Sequence, residues 1–250
     1  PEGDMKFALR TQTESRDFHF DFHSSINPSV IIPALKDEKQ KRAFEFFVFE
    51  NSPVIEGQVW GRWKEPSLTG FDANLGATNF TFRAQQVNSM TAKMTLTNGV
   101  LHAVDVRLAR PEGVVTLDAL AFDLKDKRLS LINGVGEVDP AAVFKAIGPK
   151  TARALEPYQF IDPPKVKVDG WIQTGAGRNP ASLHVDVDGG AFKFNRFISR
   201  DMNGEIFWTG HTITLTNVVS EFYGGELNGD FFSKFNDCLL YTSPSPRDRG

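Results

Sequence analysis

The sequence predicts an all-β protein, mainly antiparallel, with short helical insertions: an elongated, curled repeat sheet that forms an apolar groove. Three observations predict it. Long stretches alternate apolar and polar residues with a period of two, as half-buried strands do. Turn dipeptides such as Asn98-Gly99 and Thr209-Gly210 punctuate that alternation at short spacing. The text also repeats itself at an offset of 111 to 112 residues.

The repeat is carried by six matches in the same order. Pro28 and Pro140 each follow a strand-like run and open a helix-like one, 112 residues apart. Arg16 and Arg128, Gly113 and Gly225, and Asp118 and Asp230 share that spacing. Pro53 and Pro164, like Trp60 and Trp171, stand 111 apart, a gap of one residue. The organisation expected is the end of a preceding, truncated unit over 1–15, then a β unit over 16–127 with a helical insertion at about 28–43. A second β unit follows over 128–237, with its insertion at about 140–156.

Each element has its own signal. Phe18, Phe20 and Phe22 alternate with His19, Asp21 and His23. Pro28–Ile32 and Ala34–Ala43 read as helical pieces broken near Pro33, with proline suited by its fixed φ to a first turn. Phe80 and Phe82 alternate with Thr81 and Arg83; Asn98-Gly99 marks a hairpin; Val114 to Leu124 resumes a strand. Pro140–Ile147 and Lys150–Glu156 are helical pieces broken by Gly148-Pro149. In Ala181–Asp188, Leu183, Val185 and Val187 face one side, and Ser182, His184, Asp186 and Asp188 the other. Gly189-Gly190 turns the chain into Phe192 and Phe194. Asn203-Gly204 precedes Ile206 and Trp208, Thr209-Gly210 turns into Ile213 and Leu215, and Gly224-Gly225 leads to Leu227 and Phe231.

One sheet face is therefore apolar and rich in phenylalanine, which supplies 22 of the 29 aromatics and brings no polar handle. Such a face must be covered by a second sheet, by helices or by a ligand. The helical pieces are too short, leaving a sandwich or a sheet curled around something. In the second case the groove is lined by Phe18, Phe20, Phe22, Phe80, Phe82, Leu183, Val185, Val187, Phe192, Phe194, Ile206, Trp208, Ile213, Leu215, Leu227 and Phe231.

Composition excludes several classes. A chain of 250 residues with 40% hydrophobic and 24% charged residues is foldable, and a net charge of −3 is no nucleic-acid footprint. No apolar run approaches the ~18 residues of a membrane span. One cysteine makes no internal disulfide. That cysteine opens Cys238–Asp248, which resembles a translated sequencing adapter, so 238–250 is read as a non-native tail. Without it, 26 basic and 30 acidic residues remain. The start at Pro1, with no signal-like segment, is read as a cut end.

His19, Asp21 and His23 share a strand face in the manner of metal ligands, but are most simply the polar side opposite the phenylalanines. Asp186, Asp188 and Gly189 resemble the start of a calcium loop that lacks its remaining ligands. Nucleophile-elbow, zincin and phosphate-loop motifs are all missing. No catalytic residue, metal or cofactor is expected. Equivalent placement of Trp60 and Trp171 favours a structural role.

Glu221-Phe222-Tyr223-Gly224-Gly225-Glu226-Leu227-Asn228-Gly229-Asp230-Phe231 resembles the Tyr-Gly-Gly signature of AsmA-like proteins, the AsmA/TamB superfamily. Upstream, Met202–Ile206 and Ile213–Val218 resemble the two strands that precede it there, and Val138–Pro164 resembles a helical insertion between repeats. In the first unit Pro111-Glu112-Gly113 stands where Tyr223-Gly224-Gly225 stands in the second, so its hairpin should differ. The resemblance implies a periplasmic envelope protein of Gram-negative type, held to the inner membrane by an amino-terminal anchor that this sequence lacks. It further implies a role in outer-membrane biogenesis, with phospholipid acyl chains, and outer-membrane or envelope proteins, as partners. No catalytic set comes with it. Two other readings stay open: a structural or adhesive β-sandwich repeat protein of the cell surface, and a carbohydrate-binding β-domain.

Overall fold

The computed structural model describes residues 3–34, 38–147, 156–174, 180–194 and 196–234. The expected helix Lys150–Glu156 and the tail 238–250 fall almost wholly or wholly outside them. The strands are β1 (Met5–Gln12), β2 (Asp17–Ser24), β3 (Phe47–Phe49), β4 (Val54–Arg62), β5 (Glu65–Phe82), β6 (Gln85–Thr97), β7 (Val100–Ala109) and β8 (Val114–Asp123). They continue as β9 (Arg128–Glu137), β10 (Tyr158–Phe160), β11 (Lys165–Gln173), β12 (Ala181–Asp188), β13 (Phe192–Phe194), β14 (Phe197–Thr209), β15 (Thr212–Phe222) and β16 (Gly225–Lys234). A 3-10 turn at Pro28–Ala34, α1 (Glu38–Glu45) and α2 (Pro140–Ile147) make up the helical part. None of these helices is long and apolar enough to cross a membrane.

All sixteen strands join one open antiparallel sheet. Thirteen run side by side as β1-β2-β4-β5-β6-β7-β8-β9-β11-β12-β14-β15-β16, with β3 added beside β5, β13 beside β14 and β10 beside β13. At about 4.8 Å per strand this ribbon extends for roughly 55–60 Å. Among the described residues no second sheet faces it.

Tight turns set the register along one long edge. Asn98 and Gly99 both take positive φ, 51° and 76°, as a two-residue hairpin with right-handed strand twist requires. On the opposite edge Tyr223 and Gly224 do the same at 49° and 77°. Pro111-Glu112-Gly113 forms a different connection, closed by Arg110 N–H donating to Gly113 O at 2.8 Å.

One expected turn is corrected. Gly189 and Gly190 do not reverse the chain: β12 and β13 on either side both pair antiparallel with β14, through Val187↔Gly204 and Phe192↔Ser199. Asn203-Gly204 lies inside β14. Gly204 packs close to Val218, and Asn203 Oδ1 accepts the Gly189 N–H at 3.2 Å, so the dipeptide serves a neighbour instead of a turn.

Strand pairing recurs at the sequence offset. Phe49↔Phe80 and Phe47↔Phe82 correspond to Phe160↔Phe192 and Tyr158↔Phe194. Thr91↔Arg107, beside a register shift, corresponds to Asn203↔Val219, beside another.

The sheet curls for a local reason. In Thr78-Asn79, Val104-Asp105, Ile132-Asn133 and Thr216-Asn217 the alternation breaks, and two successive residues lie away from the apolar side. The second of each pair has positive φ, between 48° and 53°. Extra residues bend a sheet and raise its twist. Added length on the polar side makes the apolar side the inner one. Crowding there agrees: a Cβ on Gly57 would lie 2.8 Å from Ala73 Cβ, and one on Gly134 2.6 Å from Val168 Cγ1. Backbone N–H groups at two breaks are held by aspartates of the next strand, Asn133 by Asp169 at 2.8 Å and Asn217 by Asp230 at 2.9 Å.

Candidate functional site: the apolar face

Directly opposed residues in a sheet point to the same face. One row runs Phe7, Phe22, Gly57, Ala73, Met94, Ala103, Leu120, Leu131, Gly170, Leu183, Trp208, Ile213, Ser233, and crosses all thirteen strands. A parallel row runs Leu9, Phe20, Val59, Phe71, Leu96, Leu101, Phe122, Leu129, Ile172, Ala181 without one polar residue. Beyond the breaks a third follows, Gly134, Val168, Val185, Ile206, Leu215, Phe231.

These rows and their flanking pairs place the sixteen groove residues named from the sequence on one side of the sheet. Phe80 belongs there through its packing with Ala77 and Met90. Phe192 belongs there through Ser199, which is hydrogen-bonded to Ser220. Two of the sixteen do not line an open surface. Phe80 is 2% exposed beneath Phe49 and Phe82, and Val187 is 9% exposed. The other fourteen keep partial or full exposure, as far as Phe231 at 46%. Phe80 is the one phenylalanine buried among the described side chains.

Sequence reading missed the middle of the face: Phe71, Leu96, Leu101, Phe122 and Leu129. Their signal was the same period of two, diluted by alanine, glycine and methionine at neighbouring positions. It also missed Trp63, whose ring lies 4.6 Å from Phe18 and 6.4 Å from Phe20 and covers the end of the face.

The opposite face is polar and ion-paired. His19 donates Nε2–H to Asp21 at 3.2 Å, and His23 stands across from Glu56, so the three residues make no common cluster. Lys93 pairs with Asp105 at 2.8 Å, which raises the lysine pKa. Trp60 lies on this face over Gly70, and the Arg128 guanidinium stands 5.5 Å from the Trp171 ring. A shallow depression of about 540 Å³ at the sheet end is lined by Arg10, Phe18, Trp60, Arg62 and Leu68. Arg62 is committed there to Asp17 at 2.9 Å, and this partner raises its pKa. What a curved apolar strip offers chemically is a surface on which hydrocarbon can leave water.

No family model, curated protein or solved structure matches the chain.

Proposed function

We propose that this chain is a section of a non-enzymatic envelope protein whose curled apolar face binds phospholipid acyl chains and passes them between inner and outer membrane. The observation that carries the reading is the pair of apolar rows running across the sheet, whose phenylalanines are half-buried or, at Phe7, exposed. Monomeric soluble proteins rarely expose continuous apolar patches beyond a few hundred Å² unless the patch binds something. Each buried CH₂ is worth ~0.8 kcal/mol, so a sixteen-carbon chain gains roughly 12 kcal/mol on leaving water for such a strip. Neighbouring positions along a row are chemically alike, so a bound chain shifts from strand to strand without a large barrier. Phenylalanine leaves no hydroxyl unpaired beside hydrocarbon.

The test is to incubate the chain with phospholipid vesicles, re-isolate it and quantify bound phospholipid by mass spectrometry. Retention of lipid is expected, with at least tenfold less on a Phe20→Asp/Phe231→Asp variant that keeps its β circular dichroism. Folded protein that stays lipid-free, or a variant that binds as the parent does, overturns the reading.

A further inference from the structure

We propose that His184, Asp186 and Glu205 form a three-ligand site for a divalent first-row transition-metal ion, Zn²⁺ foremost, on the polar face. His184 and Asp186 stand two apart on β12 and so point the same way, and Glu205 of β14 is directly across from Asp186. One ligand atom from each lies within 4.8 Å of the others. Tetrahedral zinc with bonds of ~2.1 Å holds its ligand atoms about 3.4 Å apart, so side-chain rotation closes the remaining gap.

Three features point to a cation. Like charges directly opposed across strands destabilise a sheet, and Asp186 faces Glu205. His184 Nε2 is shut off from solvent and has no hydrogen bond; it approaches Asp186 Oδ1 at 3.2 Å, out of line for donation. An imidazole nitrogen and a carboxylate oxygen this close, with no hydrogen bond between them, are placed so that one metal ion can join them. The surroundings also fix the ligands. The His184 ring stacks on Phe207 at 4.4 Å and 7°, and Glu205 Oε2 accepts from Thr216 Oγ1 at 3.3 Å and Asn217 Nδ2 at 3.4 Å. Such outer contacts orient metal ligands. Imidazole with carboxylates suits zinc and its neighbours better than calcium. Lys167, opposite Asp186 on β11, and Asp169, opposite His184, are the other charges at the site.

The molecule holds its own control. His19 and Asp21 repeat the His-x-Asp spacing at the same 3.2 Å, but there the contact is a true hydrogen bond and the residues across on β4 are Trp60 and Gln58. Glu205 has no counterpart at that site.

The experiment is calorimetric titration of chelator-treated full chain with Zn²⁺, and Co²⁺ absorption as a second probe, in a Cys238→Ser background that removes the thiol. One saturable equivalent is expected. His184→Ala and Glu205→Gln should each weaken it at least tenfold, while His19→Ala leaves it unchanged. Zn²⁺ should also raise the melting temperature of the parent and not of Glu205→Gln, which is isosteric and keeps the Thr216 and Asn217 contacts. Absence of saturable binding below millimolar, binding that survives His184→Ala and Glu205→Gln, or loss in His19→Ala alone overturns the site.

Discussion

Strand β5 runs unbroken for 18 residues, whereas the same lane 112 residues later is divided into β12 and β13 by Gly189 and Gly190. The two versions hold their register by different means. In the first, Phe80 opposes Val87, and both are buried with Ala77 under Phe49, Phe82, Met90 and Leu108. In the second, half-buried Phe192 opposes Ser199, and Ser220 occupies the position equivalent to Leu108. Ser199 Oγ donates to Asp201 O at 3.0 Å and so accepts from Ser220 Oγ at 2.7 Å. Where the strand is continuous, close packing of hydrocarbon fixes the lane. Where it is interrupted, a buried and directional hydrogen bond does so.

The largest effect expected from this difference is at the two phenylalanines. Phe80→Ala should cost about 3–5 kcal/mol, because its ring is enclosed on every side. Phe192→Ala should cost well under half as much, since water already reaches its ring. Urea unfolding of the two variants checks this, and equal losses would break the comparison.

A smaller effect is expected at the serines. Ser199→Val alone leaves a buried Ser220 hydroxyl without its acceptor, a cost of about 1–3 kcal/mol. Adding Ser220→Leu installs the apolar pair of the first lane and should recover most of that loss. A double variant less stable than Ser199→Val would mean that the second lane cannot accept hydrocarbon packing. These residues touch one another, so the two changes should be strongly non-additive, and a double-mutant cycle reads that coupling directly.

Much of this architecture was legible in residue text because a period of two is a local property. Ala181–Asp188 and Pro140–Ile147 have the bounds the pattern gave, and Asn98-Gly99 makes the turn its chemistry favours. Features that depend on a partner strand were hidden. Val104-Asp105 and Ile132-Asn133 look like ordinary alternating pairs, and only the neighbouring strand reveals that both members lie on the polar side. Asn203-Gly204 has turn chemistry but is overruled by pairing on both flanks. Of the apolar face, the phenylalanine-rich ends could be read, while its centre at Phe71, Leu96 and Phe122 emerges from register. Glu205 joins His184 in space across 21 positions of sequence, and no spacing rule links them.

The smallest effect expected is the acid sensitivity of the first half. Three aspartates of the first half have pKa values held below the usual range: Asp123 by backbone N–H groups of Asp126 and Lys125, Asp17 by the Ser15 hydroxyl and then Arg62, and Asp4 by the Ser25 hydroxyl and then Lys6. A carboxylate with a depressed folded pKa contributes stability that is complete above its unfolded value, near 4, and is lost as pH falls through the lowered folded value. The melting temperature should therefore hold from pH 6 to about 4 and fall below that. Asp123→Asn should flatten part of the fall, since the amide still accepts a hydrogen bond but no longer titrates. Because all three groups are solvent-exposed, the difference should shrink when salt is raised and screening improves. Melting curves against pH at two ionic strengths check this. A slope untouched by Asp123→Asn would show that the hairpin turn after β8 is held by its backbone geometry alone.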